Sequence, residues 1–348
     1  MQIRENIPLA PLTTLKVGGP ARFFVEARTI AEVSEAIQFS GARNLPLFVL
    51  GGGSNLVISD SGWPGLVLKV AITGIDERSS EGKTLFDIGA GEDWDKFVAR
   101  VITRNCAGVE CLSGIPGSVG GTPVQNVGAY GQEVAETIES VLVFDLRRGQ
   151  TQELCNEACG FSYRTSIFNT SERGRYVILR VTYALTPGGR PHVEYADLKR
   201  YFAGWGETPT LAETRDAVRR IRASKGMLIS PGDDDCRSAG SFFKNPVLSR
   251  GQFQELTARA AAKNLQIPSY PALEERKKVS AAWLVEHSGF SKGFGRGAVG
   301  ISRKHALALV NRGAATAADV VAFQEQIQER VADIWGIHLE PEPVFVGF

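Results

Sequence analysis

The stretch SGIPGSVGGTPVQNVGAYG, residues 113–131, constrains this chain more than any other. It is rich in glycine and apolar residues and holds no charged side chain. A surface loop of that length is usually more polar. Bare glycine backbone lets amide groups approach a partner closely. A loop of this kind suits a large, flat, uncharged ligand with a phosphate tail. A shorter counterpart, GGGSN at 51–55, follows the strand-like LPLFVL at 45–50, and its Ser54 and Asn55 add donors. Taken alone, GGGSN reads equally well as a plain turn between strands. Two such loops in one half of the chain favour a dinucleotide-like ligand over structural turns.

The usual nucleotide motifs do not account for these loops. GAGEDW (89–94) and GFGRGA (293–298) both fail G-x-G-x-x-G at the last position. GKT at 82–84 lacks the first glycine of a P-loop, because position 77 is glutamate. The four histidines, at 192, 287, 305 and 338, are scattered, with no H-E-x-x-H, so no metal is expected. No G-x-S-x-G occurs, so Ser241 is not a hydrolase nucleophile.

Net charge is +1, with 39 basic and 38 acidic residues, which argues against nucleic acid or an anionic membrane as the main partner. No stretch is apolar for long enough to span a membrane, and MQIRENIPLAPLTTLK lacks the apolar core of an export signal. The five cysteines (106, 111, 155, 159 and 236) form no C-x-x-C. Cys155 and Cys159 are spaced to share a helix face and read as two buried thiols. A cytosolic protein, and a monomer, is the expectation.

Strand-like and helix-like segments alternate over about the first 225 residues. Strands are expected at 22–27, 45–50, 65–70, 84–91 and 175–185, with a hairpin at 139–154. Helices are expected at 29–40, 92–105 and 210–225. SPGDDDCRS (230–238) reads as a linker or loop. Beyond it come helices at 249–264 and 280–288, a strand at 306–311 and a helix from Thr316 to Gly336. A final strand is expected over 339–347. The class is α+β, with a boundary near 226–240.

AGSFFKNP (239–246) sets Ser241, Lys244 and Asn245 around two phenylalanines. Polar groups taken into an apolar interior need partners. A serine in that setting caps a turn or helix, or is a hydroxyl held dry for chemistry.

TLKVGGPA (14–21), GGGSNLV (51–57), IPGSVGGTPVQNVGAYG (115–131), FSYRTS (161–166), AGSFFKNP (239–246) and LEPE (339–342) occur in that order. Together they resemble the family of UDP-N-acetylenolpyruvoylglucosamine reductases, the MurB family, over nearly the whole chain. The segment 186–206 resembles the subgroup with a tyrosine loop. The resemblance implies a two-lobed FAD-binding fold of the vanillyl-alcohol-oxidase type plus a C-terminal α+β substrate domain. It implies lobe 1 at 1–71, completed by 339–348, lobe 2 at 72–226 and the substrate domain at 227–338. It also implies non-covalent FAD, NADPH as reductant, and reduction of UDP-N-acetylglucosamine enolpyruvate to UDP-N-acetylmuramate.

By the same resemblance FAD rests on Gly51, Gly52, Gly53, Ser54, Asn55 and Leu56 of the first loop. From the second it takes Ser113, Gly114, Ile115, Pro116, Gly117, Ser118, Gly120, Gly121, Asn126, Gly128, Ala129 and Tyr130. Arg164 and Glu342 match the groups that stabilise negative charge on the substrate, and Ser241 matches the proton donor, with Lys244 or another cation easing proton loss. Tyr195 matches the residue of a loop that closes over the diphosphate. Tyr163, Lys225, Lys244, Asn245, Lys292 and His305 match other substrate positions. The chain departs from the pattern at Asn169, where many relatives carry a basic residue, and in a longer acidic connection at 226–238. A flavin oxidase of the same fold, acting on another small substrate, is the alternative. It calls for a histidine or cysteine to attach the flavin, and neither glycine loop holds a histidine.

Overall fold

Strand Tyr176–Pro187 is the spine of the larger sheet. Its β-branched and apolar residues are buried almost throughout, as expected of a central strand. Strands Ile138–Asp145 and Lys83–Gly89 pair with it antiparallel on either side, and Gln150–Cys155 and Ile75–Ser80 extend the sheet outward. A second sheet orders Ile3–Pro8, Pro20–Ala27, Trp63–Val70 and Leu47–Leu50, the last pair parallel. This computed structural model describes residues 1–230, 232–272, 275–295 and 297–348. It divides into a first unit of Met1–Ile7, Ala21–Gly53 and Pro64–Ile229, and a second of Pro8–Pro20, Ser54–Trp63 and Ser230–Phe348.

The helices of the first unit start where the sequence supplies a side-chain cap. Helix α1 (Ile30–Ala42) begins at Thr29, which accepts from the Glu32 amide. Helix α2 (Trp94–Thr103) begins at Asp93, which accepts from the Lys96 amide. Helices α3 (Ala196–Tyr201) and α4 (Leu211–Ser224) follow, the latter opened by a Thr210–Glu213 capping box. Such caps contribute about 1 kcal/mol each. Trp94, Phe97, Val98, Val101 and Ile102 of α2 turn inward and join Phe86, Ile88 and Tyr183 in the core.

In the second unit, helices α5 (Arg250–Ala261), α6 (Ala281–Glu286) and α7 (Ala317–Trp335) enclose Phe242, Phe243, Trp283, Leu284, Ile327 and Trp335. Helix α7 starts at the expected Thr316–Asp319 box and stops at Gly336, whose φ of 70° suits glycine. Small sheets flank the helices: Val247–Leu248, Lys277–Val279 and Ser269–Pro271 in one, Val299–Ile301 with Leu309–Asn311 in another. Val344–Val346 runs parallel to Leu56–Ile58.

Some expectations change. The strand expected over 339–347 contracts to Val344–Val346. Pro343 has no amide to donate, and Pro341 makes only an isolated bridge to Phe243, so Glu340 and Glu342 lie outside any strand. The strand expected at 306–311 contracts to Leu309–Asn311, because Ser302–Ala308 close a turn in which the Ser302 amide donates to Ala308 O. Cys155 and Cys159 share no helix: Cys155 ends a strand and is exposed, and only Cys159 is buried. Among the described residues no helix is long and apolar enough to cross a membrane.

Candidate active site

The two glycine loops meet backbone to backbone. A Cβ added at Gly52 would lie 2.5 Å from Gly117 Cα, so only glycine fits that approach. The long loop is then threaded along its neighbours by main-chain bonds. The Trp94 amide donates to Gly117 O at 3.1 Å, the Val119 amide to Glu92 O at 2.9 Å, and the Gly120 amide to Ala90 O at 2.9 Å. Gly114 is gripped from both sides: its amide donates to Asp95 Oδ1 at 2.6 Å, and its carbonyl accepts from Arg222 Nε at 3.2 Å.

Asp95 also takes both arms of Arg215, at 2.6 and 2.9 Å, and Arg219 Nη1. Burial pushes the Asp95 carboxyl up, but Arg215, the Gly114 amide and Arg219 outweigh it and hold it below the usual carboxylate range. Neither Asp95 nor Arg222 was expected at the site. The available signal was the four-residue spacing of Arg215 and Arg219, which puts both on one face of α4.

A cofactor of the expected kind fits here. Ser118 Oγ is buried with no hydrogen-bond partner among the described residues, a costly state unless a ligand supplies one. Gly51 and Gly121 flank that oxygen with bare backbone, their added Cβ atoms falling 3.0 and 3.9 Å from it. Ser113, by contrast, donates its hydroxyl to Glu110 O at 2.6 Å and is fully buried. Ile115, Pro116, Gly120, Gly128 and Ala129 are half-buried, and Gly53 turns the first loop at φ 66°. The chain then enters the second unit, where the Ser54 carbonyl accepts from Thr14 Oγ1 and Asn55 Nδ2 donates to Glu342 O at 3.2 Å. Leu56 opens the strand paired with Val344.

Among the non-glycine residues of the first unit that hold left-handed backbone, three lie in the long loop or the FSYRTS turn: Asn126 (φ 44°), Tyr130 (φ 50°) and Arg164 (φ 58°). Such strain persists where surroundings over-determine it. Asn126 Nδ2 donates to Glu133 and to Ser162 O, and its Oδ1 accepts the Ala135 amide. Arg164 Nη2 donates to Gly128 O at 2.9 Å, tying the FSYRTS turn to the long loop. Asn169 closes that turn, donating to Arg164 O and accepting from the Ser166 amide. The departure at Asn169 is thus a turn lock, a role its uncharged amide can fill with both a donor and an acceptor. The Arg164 guanidinium stands over Tyr163, 5.5 Å from the ring centroid.

A second cluster gathers Tyr130, Tyr195 and Lys225. Tyr195 is exposed at the start of α3, its ring edge-on to Tyr130 at 5.5 Å. Lys225 Nζ lies 5.8 Å from the Tyr130 ring and donates to Asp197 at 2.6 Å. Burial pushes the Tyr130 phenol up, against Arg222 and Lys225, and keeps it a neutral donor.

In the second unit, AGSFFKNP is pinned by main-chain bonds from the Phe242 amide to Leu307 O and from the Lys244 amide to Glu340 O. The two phenylalanines are buried, and Ser241 between them and Gly240 is half-buried. Ser241 Oγ lies 3.2 Å from His305 Nε2. Lys244, the cation expected to ease proton loss, is engaged elsewhere: its Nζ pairs with Glu340 at 2.7 Å. Asn245 Oδ1 accepts the Ala281 amide at the start of α6. Glu342 is half-buried, its amide donating to Phe242 O, while Glu340 and Lys292 are exposed. The acidic connection is more than a linker: Asp235 is buried and accepts from Ser302 Oγ and the Arg303 amide.

Comparison with known proteins matches residues 231–346 to the family model described as UDP-N-acetylenolpyruvoylglucosamine reductase, C-terminal domain, and residues 21–154 to an FAD binding domain. The chain is 46% identical to the UDP-N-acetylenolpyruvoylglucosamine reductase of Thermobifida fusca, over 99% of this chain and 98% of that one. It is 45% identical to the enzyme of that name from Streptomyces coelicolor, covering 100% and 91%. The solved structure of UDP-N-acetylenolpyruvylglucosamine reductase (MurB) from Thermus caldophilus superposes with a TM-score of 0.69 at 27% identity, covering 99% of this chain and 100% of that one. Loops, sheets and relatives agree along the full length: the chain belongs to the UDP-N-acetylenolpyruvoylglucosamine reductase family.

Proposed function

We propose that Arg164, Ser241 and Glu342 carry the chemistry of this reductase. The enzyme reduces UDP-N-acetylglucosamine enolpyruvate to UDP-N-acetylmuramate, with FAD as cofactor and NADPH as reductant. The observation that carries the activity is the match over 99% of the chain to a reductase named for this substrate. Bound FAD would supply the hydride chemistry that links NADPH to the enol double bond. The protein's own tasks are charge and protons. Negative charge builds on the neighbouring carbon and its carboxylate. Arg164 grips that carboxylate through a permanently charged fork, and its locked turn supports a preset orientation. Glu342 polarises the same group. Ser241 delivers the proton, since a carbanion-like centre is basic enough to take one from a hydroxyl kept dry.

The loops Gly51–Leu56 and 113–130 hold FAD, and the unpaired Ser118 Oγ supports that reading. Tyr195 and Lys225 hold the diphosphate, supported by their gathering around Tyr130. Tyr163, Lys244 and Lys292 face the sugar and its substituents, as does Asn245 through Nδ2. Residues 1–71 and 72–226 form the two FAD lobes, and 227–338 the substrate domain. The pairing of Val344–Val346 with Leu56–Ile58 supports completion of the first lobe by 339–348. The enzyme works as a cytosolic monomer, a reading supported by its five cysteines, which form no disulfide among the described residues, and by its even charge balance, and checked by sedimentation.

The test is a visible spectrum under anaerobic conditions. NADPH bleaches the bound flavin and the enol ether restores it. A flavin that bleaches without recovering moves the assignment to another acceptor, and a protein that takes up no FAD ends the reading of both loops.

A further inference from the structure

We infer that His305 is a positioning residue for Ser241: it orients the hydroxyl and returns the proton that the serine gives away. The inference rests on Ser241 being the proton donor. A lone serine hydroxyl is a poor acid, and after transfer it is left as an alkoxide that must regain a proton before the next cycle. His305 Nε2 lies 3.2 Å from Ser241 Oγ, within hydrogen-bond distance. Imidazole is the side chain best suited to shuttle a proton near neutral pH.

The ring is held on a built turn. Ser302 is fully buried, its hydroxyl accepts the amides of Lys304 and His305, and it donates to Asp235. The Arg303 amide reaches the same carboxylate at 3.1 Å. The Phe242 amide donates to Leu307 O at 2.8 Å, which fixes the serine segment against the same turn. Serine and histidine, 64 residues apart, are therefore held by one set of bonds.

In the reacting state the ring is an imidazolium whose Nε2–H donates to Oγ, which leaves Oγ–H aimed away from the ring. The Oγ–H bond breaks as a C–H bond forms at the substrate carbon. The Nε2 proton moves to Oγ, and the neutral imidazole takes a proton from water. The sum is one proton from solvent to carbon, with the serine and histidine restored.

The test is stopped-flow mixing of NADPH-reduced holoenzyme with UDP-N-acetylglucosamine enolpyruvate, for wild type, S241A, H305A and H305Q. The expected result for H305A is a limiting reoxidation rate about 10- to 100-fold lower, KM within about twofold, and partial rescue by added imidazole. H305Q keeps a hydrogen-bonding group but no transferable proton, and it is expected to stay at least about 10-fold slow without rescue. Reduction by NADPH is unchanged in both. A wild-type limiting rate in either variant overturns the inference, as does a raised KM with an unchanged limit, which marks a sugar contact. If S241A itself reoxidises normally, the reading of Ser241 fails instead. H305Q carries the test should H305A fail to fold.

Discussion

The long glycine loop and the serine segment solve the same problem in opposite ways. Residues 113–131 are held mainly through their own backbone: amides on carbonyls, glycines against glycines, left-handed turns at Asn126 and Tyr130, and main-chain groups gripped by Asp95, Arg222 and Arg164. Residues 239–246 are fixed by backbone too, but their chemistry hangs on single side-chain contacts, Ser241 to His305 and Lys244 to Glu340. A region built by leaving side chains out tolerates almost no addition. A region built on side-chain groups tolerates a change of shape but not a change of chemistry.

The sharpest break is Ser241→Ala. The segment keeps its fold, yet reoxidation by the enol ether should fall by about 10²- to 10⁴-fold while reduction by NADPH stays within about twofold. Stopped-flow spectra separate the two half-reactions, and equal slowing of both would erase the contrast. Next is Gly52→Val, which pushes a side chain to where a Cβ alone would sit 2.5 Å from Gly117 Cα. It should lose FAD on gel filtration and melt at a lower temperature, whereas Gly51→Ala, meeting only Ser118 Oγ, should keep its fold and bind FAD more weakly. If Gly52→Val retains flavin, the loops are not locked by close approach.

A smaller effect is expected at Asp95→Asn, which strips the shared partner from Arg215, Arg219 and the Gly114 amide. Removing one partner of a partly buried charge cluster costs about 2–3 kcal/mol here, read by denaturant unfolding. The smallest is in acid. The Arg175 fork and two backbone amides bring Asp145 down to about 2. A carboxylate with a lowered folded pKa contributes stability in full above its unfolded value of about 3.9, and that contribution fades as pH falls toward 2. Between those values D145N should show a flatter loss of stability than wild type, and parallel acid curves would count against it.

What the sequence revealed follows the same division. Glycine requirements, helix caps and the apolar face of α7 are local, and they are where the chain puts them. Strand Ile75–Ser80 escaped notice because its exposed, polar residues carry no alternation of burial. The contact of Ser241 with His305 spans 64 residues and is made by a turn, SRKHA, without any hydrophobic period. Asn169 stood out only as a departure, since a turn lock is invisible until the turn is seen. Nothing in the sequence sets Arg222 apart from the other arginines of 210–225, yet it is buried with its fork on Gly114 O and Met227 O.

The parallel pairing of Val344–Val346 with Leu56–Ile58 bears on how the chain is made. The second unit draws on residues 8–20, 54–63 and everything from 230 onward. Its sheet partner for Leu56–Ile58 is Val344–Val346, made far later in the chain. Strand Leu56–Ile58 therefore keeps an open edge until Val344–Val346 has been made, a state prone to wrong pairing. Emergence of Val344–Val346, rather than of any helix, is the event that lets this pair form.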